Sequence, residues 1–456
     1  MKKYFFIFVI VVASCKKDDF NYSNNNTLTS INQKSLNNFE GYKVDSNSKK
    51  LGKEYWENTG VLSDIIAIKY SISPRGFNNI GSGSYTSCGD FNLDGYIDIF
   101  VPGGTYMNIV NVSTTFLIWN PKTKVFDNKN LFNNNLNIEK NNVTKTIPFY
   151  FNSDDYVDLL VFCGTDEGIQ EFQPKKIILI LSDGTGKYNQ QEITSESPTL
   201  SHDGGDVGDL NQDNIPDLVV TCGGLMKILW GQNTPPYFDE SNSATFANHI
   251  VNLPPNGEII TFENNNGFNE SCSECISEFV HNCKIIDINN DNMNDLILCS
   301  NEDNKSNNTI LINLGRGRFN KTSIIKLPYY DNTKSTNYTN IDYIGDDINK
   351  DGLKDIIAVN TKGYKGWDIF VYIQKSNREF EVDKNNLIYT INSNRKGNWK
   401  SKLIYYDYNN DGVKDLTYID DAYEPIQNKG VFIKTDKNFT EKPLIDYDIY
   451  LKNLNN

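Results

Sequence analysis

The sequence predicts an all-β protein, a β-propeller built from repeated sheets, and three observations lead to that prediction. A nine-residue acidic motif occurs six times along the 456-residue chain. A short run of β-branched and other apolar residues follows the copies, which is typical of a buried strand. The intervals also contain further strand-like runs separated by turns, so one unit corresponds to about four strands.

The motif places Asp, Asn and Asp at positions 1, 3 and 5, a turn residue at position 6 and Asp at position 9. Its first copy is DFNLDGYID, residues 90–98. The six copies begin at residues 90, 150, 209, 287, 347 and 407, at intervals of 60, 59, 78, 60 and 60 residues. A near-constant period of this length indicates an array of similar units, and the longer interval predicts an insertion of about 18 residues.

The spacing suits a calcium ion, which takes about six to eight oxygen ligands. Side chains at alternate positions of a tight loop can converge on one point, and position 6 must bend sharply, which Gly or Asn permits. The second copy has Tyr150 in place of the first carboxylate, which weakens the prediction there. The predicted calcium ligands are Asp90, Asn92, Asp94, Asp98, Asn152, Asp154, Asp158, Asp209, Asn211, Asp213, Asp217, Asp287, Asn289, Asp291, Asp295, Asp347, Asn349, Asp351, Asp355, Asp407, Asn409, Asp411 and Asp415.

An EF-hand loop begins in the same way, but it requires Glu at position 12 and a helix on each side. In four of the copies position 12 is Val101, Val220, Ala358 or Tyr418. The loop is therefore expected to join two strands rather than two helices.

The sequence resembles the FG-GAP/VCBS repeat propellers in three features: the spacing of the metal ligands, the strand that follows them and the repeat period. The calcium-loop blades of this family also occur in integrin alpha chains. The resemblance covers about residues 84–456. It implies calcium in the loop between the first two strands of a blade. The family occurs in adhesins, receptors and appendages of some enzymes, so the resemblance alone does not determine a function.

The six motif copies predict six blades. Residues 66–77 and 444–451 resemble strands of the other units, although they lie outside the motif array. We therefore expect a seventh, degenerate blade built from both ends of the chain, with a six-bladed ring as the alternative.

The start of the chain predicts a lipoprotein signal peptide, residues 1–14. Lys2 and Lys3 precede a short apolar run, and VASC at residues 12–15 resembles a lipobox, after which Cys15 would carry a lipid. The following KKDD resembles a signal for display on the outer face of the outer membrane; the periplasmic face is the alternative. Residues 15–54 are predicted to be the lipidated Cys and a flexible tether, and residues 55–456 the propeller.

The formal net charge of −14, near −16 once Lys2 and Lys3 are removed, argues against a nucleic-acid partner and suits a protein that holds cations. The sequence contains no His-Glu-x-x-His, Gly-x-Ser-x-Gly or phosphate-loop motif. We therefore expect a surface-anchored binding or adhesion module for an extracellular glycan or protein rather than an enzyme. The alternative is a polysaccharide lyase or hydrolase on a propeller scaffold.

Three cysteines, Cys272, Cys275 and Cys283, lie in the longer interval, close to His281. In an exported protein this grouping favours a disulfide that closes the inserted loop. A zinc site is the alternative, because thiolates and imidazole are zinc ligands.

Overall fold

A computed structural model describes residues 41, 43–44, 53, 56, 87–102, 104–106, 110–112, 114–134, 142–164, 177–193, 204–222, 225–247, 250–251, 260–261, 282–299, 309–319, 323–328, 340–361, 366–382, 387–392, 401–407, 411–420, 430–435 and 438–443. All of them belong to one compact unit, Asn38–Asn456. The predictions for Cys15, for the degenerate seventh blade, and for Asn409, Cys272 and Cys275 lie outside the described residues. No helix in the described part of the chain is long and apolar enough to cross a membrane.

The described chain forms six antiparallel sheets of four or more strands in sequence order, with strands numbered along the chain. The first sheet has the order β1 (Ser87–Gly89), β2 (Asp98–Val101), β5 (Thr115–Asn120) and β6 (Val125–Lys129), and β3 (Gly104–Tyr106) pairs separately with β4 (Val110–Val112). The second sheet has the order β7 (Asn142–Phe149), β8 (Asp158–Gly164), β9 (Ile177–Ser182) and β10 (Tyr188–Ile193). The third has the order β11 (Gly204–Gly208), β12 (Asp217–Cys222), β13 (Leu225–Gly231), β14 (Phe238–Ala247), β15 (Ile250–Val251) and β16 (Ile260–Thr261).

The remaining sheets repeat the arrangement. The fourth has the order β17 (Asn282–Ile286), β18 (Asp295–Cys299), β19 (Thr309–Leu311) and β20 (Ile324–Lys326). The fifth has the order β21 (Asn340–Asp346), β22 (Asp355–Thr361), β23 (Gly366–Ser376) and β24 (Glu379–Glu381), and β25 (Leu387–Asn392) also pairs with β23. The sixth has the order β26 (Ser401–Tyr406), β27 (Asp415–Asp420), β28 (Gly430–Thr435) and β29 (Asn438–Pro443).

These sheets confirm the all-β class and the unit of about four strands, which is the form expected of a propeller blade. The predicted insertion lies in the third unit. Its described part adds the two short strands β15 and β16 to the edge of the third sheet.

The core lies between consecutive sheets, and the second strand of a unit contributes to it on both faces. In β12, Leu218 packs in a cluster with the second sheet, whereas its neighbour Val219 packs in a cluster with the fourth sheet. Side chains alternate across a strand, so a strand covered on both faces must be apolar at successive positions. This explains why the motif is followed by an unbroken apolar run rather than by an apolar–polar alternation.

The first strands of consecutive sheets also lie beside one another. β1 contacts β7, β7 contacts β11, β11 contacts β17, β17 contacts β21, and β21 contacts β26. The edge that begins each unit therefore faces the corresponding edge of the next unit.

Candidate cation-binding loops

Each acidic motif is the connection between the first two strands of a sheet, as the sequence predicts. Position 1 directly follows the first strand; Asp90, for example, follows β1. Position 9 is the first residue of the second strand in all six units: Asp98, Asp158, Asp217, Asp295, Asp355 and Asp415.

Side-chain oxygens hold the loop through hydrogen bonds to its own backbone. In the third loop, the Asp209 carboxylate accepts the N–H of Asp213 at 3.2 Å and that of Asn214 at 2.9 Å. Asn211 Oδ1 also accepts the Asp213 N–H at 3.0 Å, while Asn211 Nδ2 donates to Asp213 Oδ2 at 3.0 Å. The loops that begin at residues 90, 287 and 347 have the same bonds.

The loops turn through left-handed residues at position 6, as the sequence predicts. The φ angles there lie between 64° and 90°, at Gly95, Asn214, Asn292, Gly352 and Gly412. Position 4 is also left-handed, with φ between 57° and 66°, at Leu93, Gln212, Asn290 and Lys350. The sequence does not signal this second turn, because position 4 carries no glycine and Leu is an unfavourable residue for that conformation.

Position 9 has a structural role that sequence reasoning missed. Asp295 is fully buried; its Oδ2 accepts the Ile288 N–H at 2.9 Å and its Oδ1 accepts the Asn313 N–H at 2.7 Å. Asn313 follows β19, so one carboxylate joins the loop to the segment that continues the third strand of the sheet. An equivalent bond to the third strand or its adjoining residue occurs from Asp98, Asp158, Asp217, Asp355 and Asp415.

The second loop departs from the others, in agreement with its weaker motif. Its positions 4 and 6, Ser153 and Asp155, are described but are not among the residues with positive φ. Asn152 Nδ2 donates to Ser182 O at 3.0 Å rather than to the carboxylate at position 5. The hydroxyl of Tyr150, which replaces the first carboxylate, accepts a hydrogen bond from the buried Trp56 at 3.2 Å.

Residues upstream of the first sheet contact the first loop. The Val44 N–H donates to Gly95 O at 3.0 Å, and Lys43 forms a β-bridge with Tyr96. Gly41 lies so close to the Trp119 ring that the ring leaves no room for a Cβ at this position. Gly41, Lys43 and Val44, which lie in the segment predicted to be the tether, therefore contact the first sheet and its loop.

The electrostatics of the loops are those of crowded carboxylates. Burial raises the pKa of Asp90 to about 6, and the nearby charge of Asp94 adds to the effect. Burial also raises the pKa of Asp217 and Asp295 to about 7. The pKa of Asp98 lies well above its usual value, first because of burial and then because of repulsion from Asp94 and Asp90. A cation near these carboxylates would lower their pKa, opposing the effects of burial and of repulsion between neighbouring carboxylates.

The donor set fits calcium by its chemistry, because positions 1, 3, 5 and 9 offer only carboxylate and amide groups in every loop except the second. A carboxylate oxygen that accepts one backbone N–H keeps a second lone pair for a cation. Within the described residues, however, no three His, Cys, Asp or Glu side chains already converge as a metal cage.

Cys283 is the member of the cysteine group that the structure describes. It is a free, fully buried thiol in β17, and it packs in the core with Leu210 and Leu296. Burial raises the pKa of its thiol to about 12, so the thiolate that a zinc site needs is disfavoured. Within the described residues Cys283 forms no disulfide, and its burial among apolar side chains does not favour a zinc site.

The fold and the loops together define an all-β protein of repeated antiparallel sheets, with an acidic loop between the first two strands of each sheet. No family model matches the chain, and no curated protein matches it. The FG-GAP/VCBS assignment therefore stays a resemblance of motifs.

Two solved structures are similar to the chain. A lectin from Agrocybe aegerita that specifically recognises non-reducing terminal N-acetylglucosamine aligns over 78% of this chain and 79% of its own, with 14% identity and a TM-score of 0.46. The biofilm matrix protein Bap1 of V. cholerae aligns over 67% of this chain and 40% of its own, with 12% identity and a TM-score of 0.33. At these TM-scores neither likeness carries an argument about function.

Proposed function

We propose that this protein is a calcium-binding lipoprotein of the cell surface, whose six sheets are blades of a β-propeller that binds an extracellular glycan or protein. Cys15 supplies the lipid anchor at the outer membrane. Calcium in the loops stiffens the blades, and the ligand binds to the platform that the blades form.

The observation that supports this proposal most strongly is the shared geometry of the motif-bearing loops. Four loops with different intervening residues have the same side-chain hydrogen bonds and the same left-handed turns at positions 4 and 6. The loop that begins at Asp407 shares the described part of this pattern. A loop whose only task is to reverse the chain does not need three acidic or amide groups at fixed spacing. A calcium ion does need them.

Calorimetric titration of the chain from residue 16 onward tests the calcium site directly. We expect a stoichiometry near five, because the second loop lacks the first carboxylate. Magnesium should bind more weakly, since it requires a smaller octahedral site. Absence of calcium binding would refute the proposed metal, and six equivalent sites would refute the special status of the second loop.

A glycan and protein array tests the binding role. The calcium-loaded chain should bind a restricted set of ligands, and chelator should reduce the signal if the blades need calcium to hold their loops. Turnover of a polysaccharide, abolished by substituting a carboxylate outside the loops, would instead favour the enzyme alternative.

Substitution Cys15→Ala tests the anchor. We expect the variant to remain unlipidated and to leave the membrane fraction, because a lipidated Cys15 is the only anchor that the sequence predicts. Fractionation of cells after a high-salt wash measures this. Retention of the variant in the membrane fraction would show that another anchor exists.

A further inference from the structure

The first strands of the four middle sheets carry buried charges of alternating sign. Lys145 in β7 is followed by Asp206 in β11, Lys284 in β17 and Asp342 in β21. These four residues are between 0% and 8% exposed. They lie on the edges where consecutive sheets meet, outside the acidic loops.

Each of these residues bonds to another sheet. Lys145 Nζ donates to Gly205 O in β11 at 2.5 Å and to Asn282 Oδ1 in β17 at 3.2 Å. Lys284 Nζ lies 3.5 Å from Asp342 Oδ1, which links β17 to β21.

The two carboxylates also accept backbone N–H groups from the next sheet. Asp206 Oδ2 accepts the Ile285 N–H at 2.8 Å, and Asp342 Oδ2 accepts the Leu403 N–H at 2.6 Å. The links therefore run through the second, third, fourth, fifth and sixth sheets in order.

A lysine upstream of the first sheet forms an ion pair with Asp206. Lys53 Nζ donates to Asp206 Oδ2 at 2.8 Å and to Val207 O at 2.9 Å. Asp206 is fully buried, so without Lys53 its charge would lose its direct ion pair.

Buried charges are not an efficient source of stability. Removing an ion from water costs several kcal/mol, and an apolar pair of similar volume is often at least as stable. Polar groups in such places can instead specify which surfaces meet. That function matters here, because chains of similar units are prone to wrong docking between units.

We propose that the alternating charges of Lys145, Asp206, Lys284 and Asp342 specify which sheets pack together and in what register. A first strand that carries a buried lysine can pack against one that offers a carboxylate or carbonyl groups. Two first strands with buried charges of the same sign repel each other in a medium of low polarity. The acidic loops take no part in this device, so it does not rest on the proposed calcium binding.

Two single variants and their combination test the pairing in the full chain. Lys284→Met leaves Asp342 without its ion pair, and Asp342→Asn retains an oxygen for the Leu403 N–H while removing the charge. We expect Lys284→Met to be strongly destabilised and the double variant to recover about tenfold or more in the folding equilibrium constant, measured by urea unfolding. Strictly additive effects of the two substitutions would overturn the proposed pairing.

The refolding yield distinguishes a role in specifying which sheets pack together from a role in the stability of the folded protein alone. After dilution from denaturant, the double variant should give about half the yield of native monomer or less, because wrongly docked sheets are no longer rejected. The control is Lys326→Met, since Lys326 is exposed and donates to Thr309 Oγ1 within its own sheet. The control should refold with the yield of the unchanged chain. Equal yields for the double variant and the unchanged chain would overturn the proposal.

Discussion

Calcium should raise the melting temperature of the chain from residue 16 onward, and a chelator should reverse the rise. A ligand that binds only the folded state with a Kd tenfold below its free concentration adds about 1.4 kcal/mol per site. Five such loops would add about 7 kcal/mol, which corresponds to a rise on the order of 10 °C for a chain of this size. Differential scanning calorimetry in calcium, magnesium and chelator measures the effect.

Two variants calibrate that result. Asp351→Ala removes position 5 of the fifth loop and should remove about a fifth of the calcium-dependent rise, if the five sites contribute equally. Ser153→Ala, at exposed position 4 of the loop that lacks the first carboxylate, should leave the rise unchanged. Equal melting temperatures in calcium and in chelator would refute the account of the loops as calcium sites.

Asp295→Ala should destabilise the protein strongly even in chelator. The carboxylate is fully buried, and both oxygens accept backbone N–H groups, from Ile288 and Asn313. The substitution leaves two donors without partners, at about 1–3 kcal/mol each, so we expect a loss of about 2–6 kcal/mol in the free energy of unfolding. Urea denaturation in chelator measures the loss without any contribution from calcium.

The matched control is Asp291→Ala, at position 5 of the same loop. Asp291 is exposed and bonds only locally, to the Met293 N–H and to Asn289 Nδ2, so water can replace the carboxylate. In chelator, this variant should lose about 1 kcal/mol or less of the free energy of unfolding. Similar losses for both variants would contradict the structural role of position 9.

Much of each unit could be predicted from the sequence because the relevant interactions are local. The apolar run that follows the motif predicts a buried strand, and β12 and β18 are such strands. The Gly or Asn at position 6 predicts a left-handed residue, and Gly95 and Asn292 have φ angles of 84° and 65°. Oxygen-bearing side chains at every second position predict a tight loop, because side chains two positions apart can accept hydrogen bonds from the same backbone N–H group.

Other features were decided only by the tertiary structure. Asp295 bonds to Asn313, 18 residues away, and Lys145 reaches Asn282, 137 residues away. Cys283 belongs to the core although its spacing from Cys275 suggested a shared site. In each case the partner is chosen by how two sheets or two distant strands pack. A sequence motif contains information only about residues that are close along the chain. The hydrogen bonds and ion pairs of a buried side chain depend instead on which distant strand packs over it.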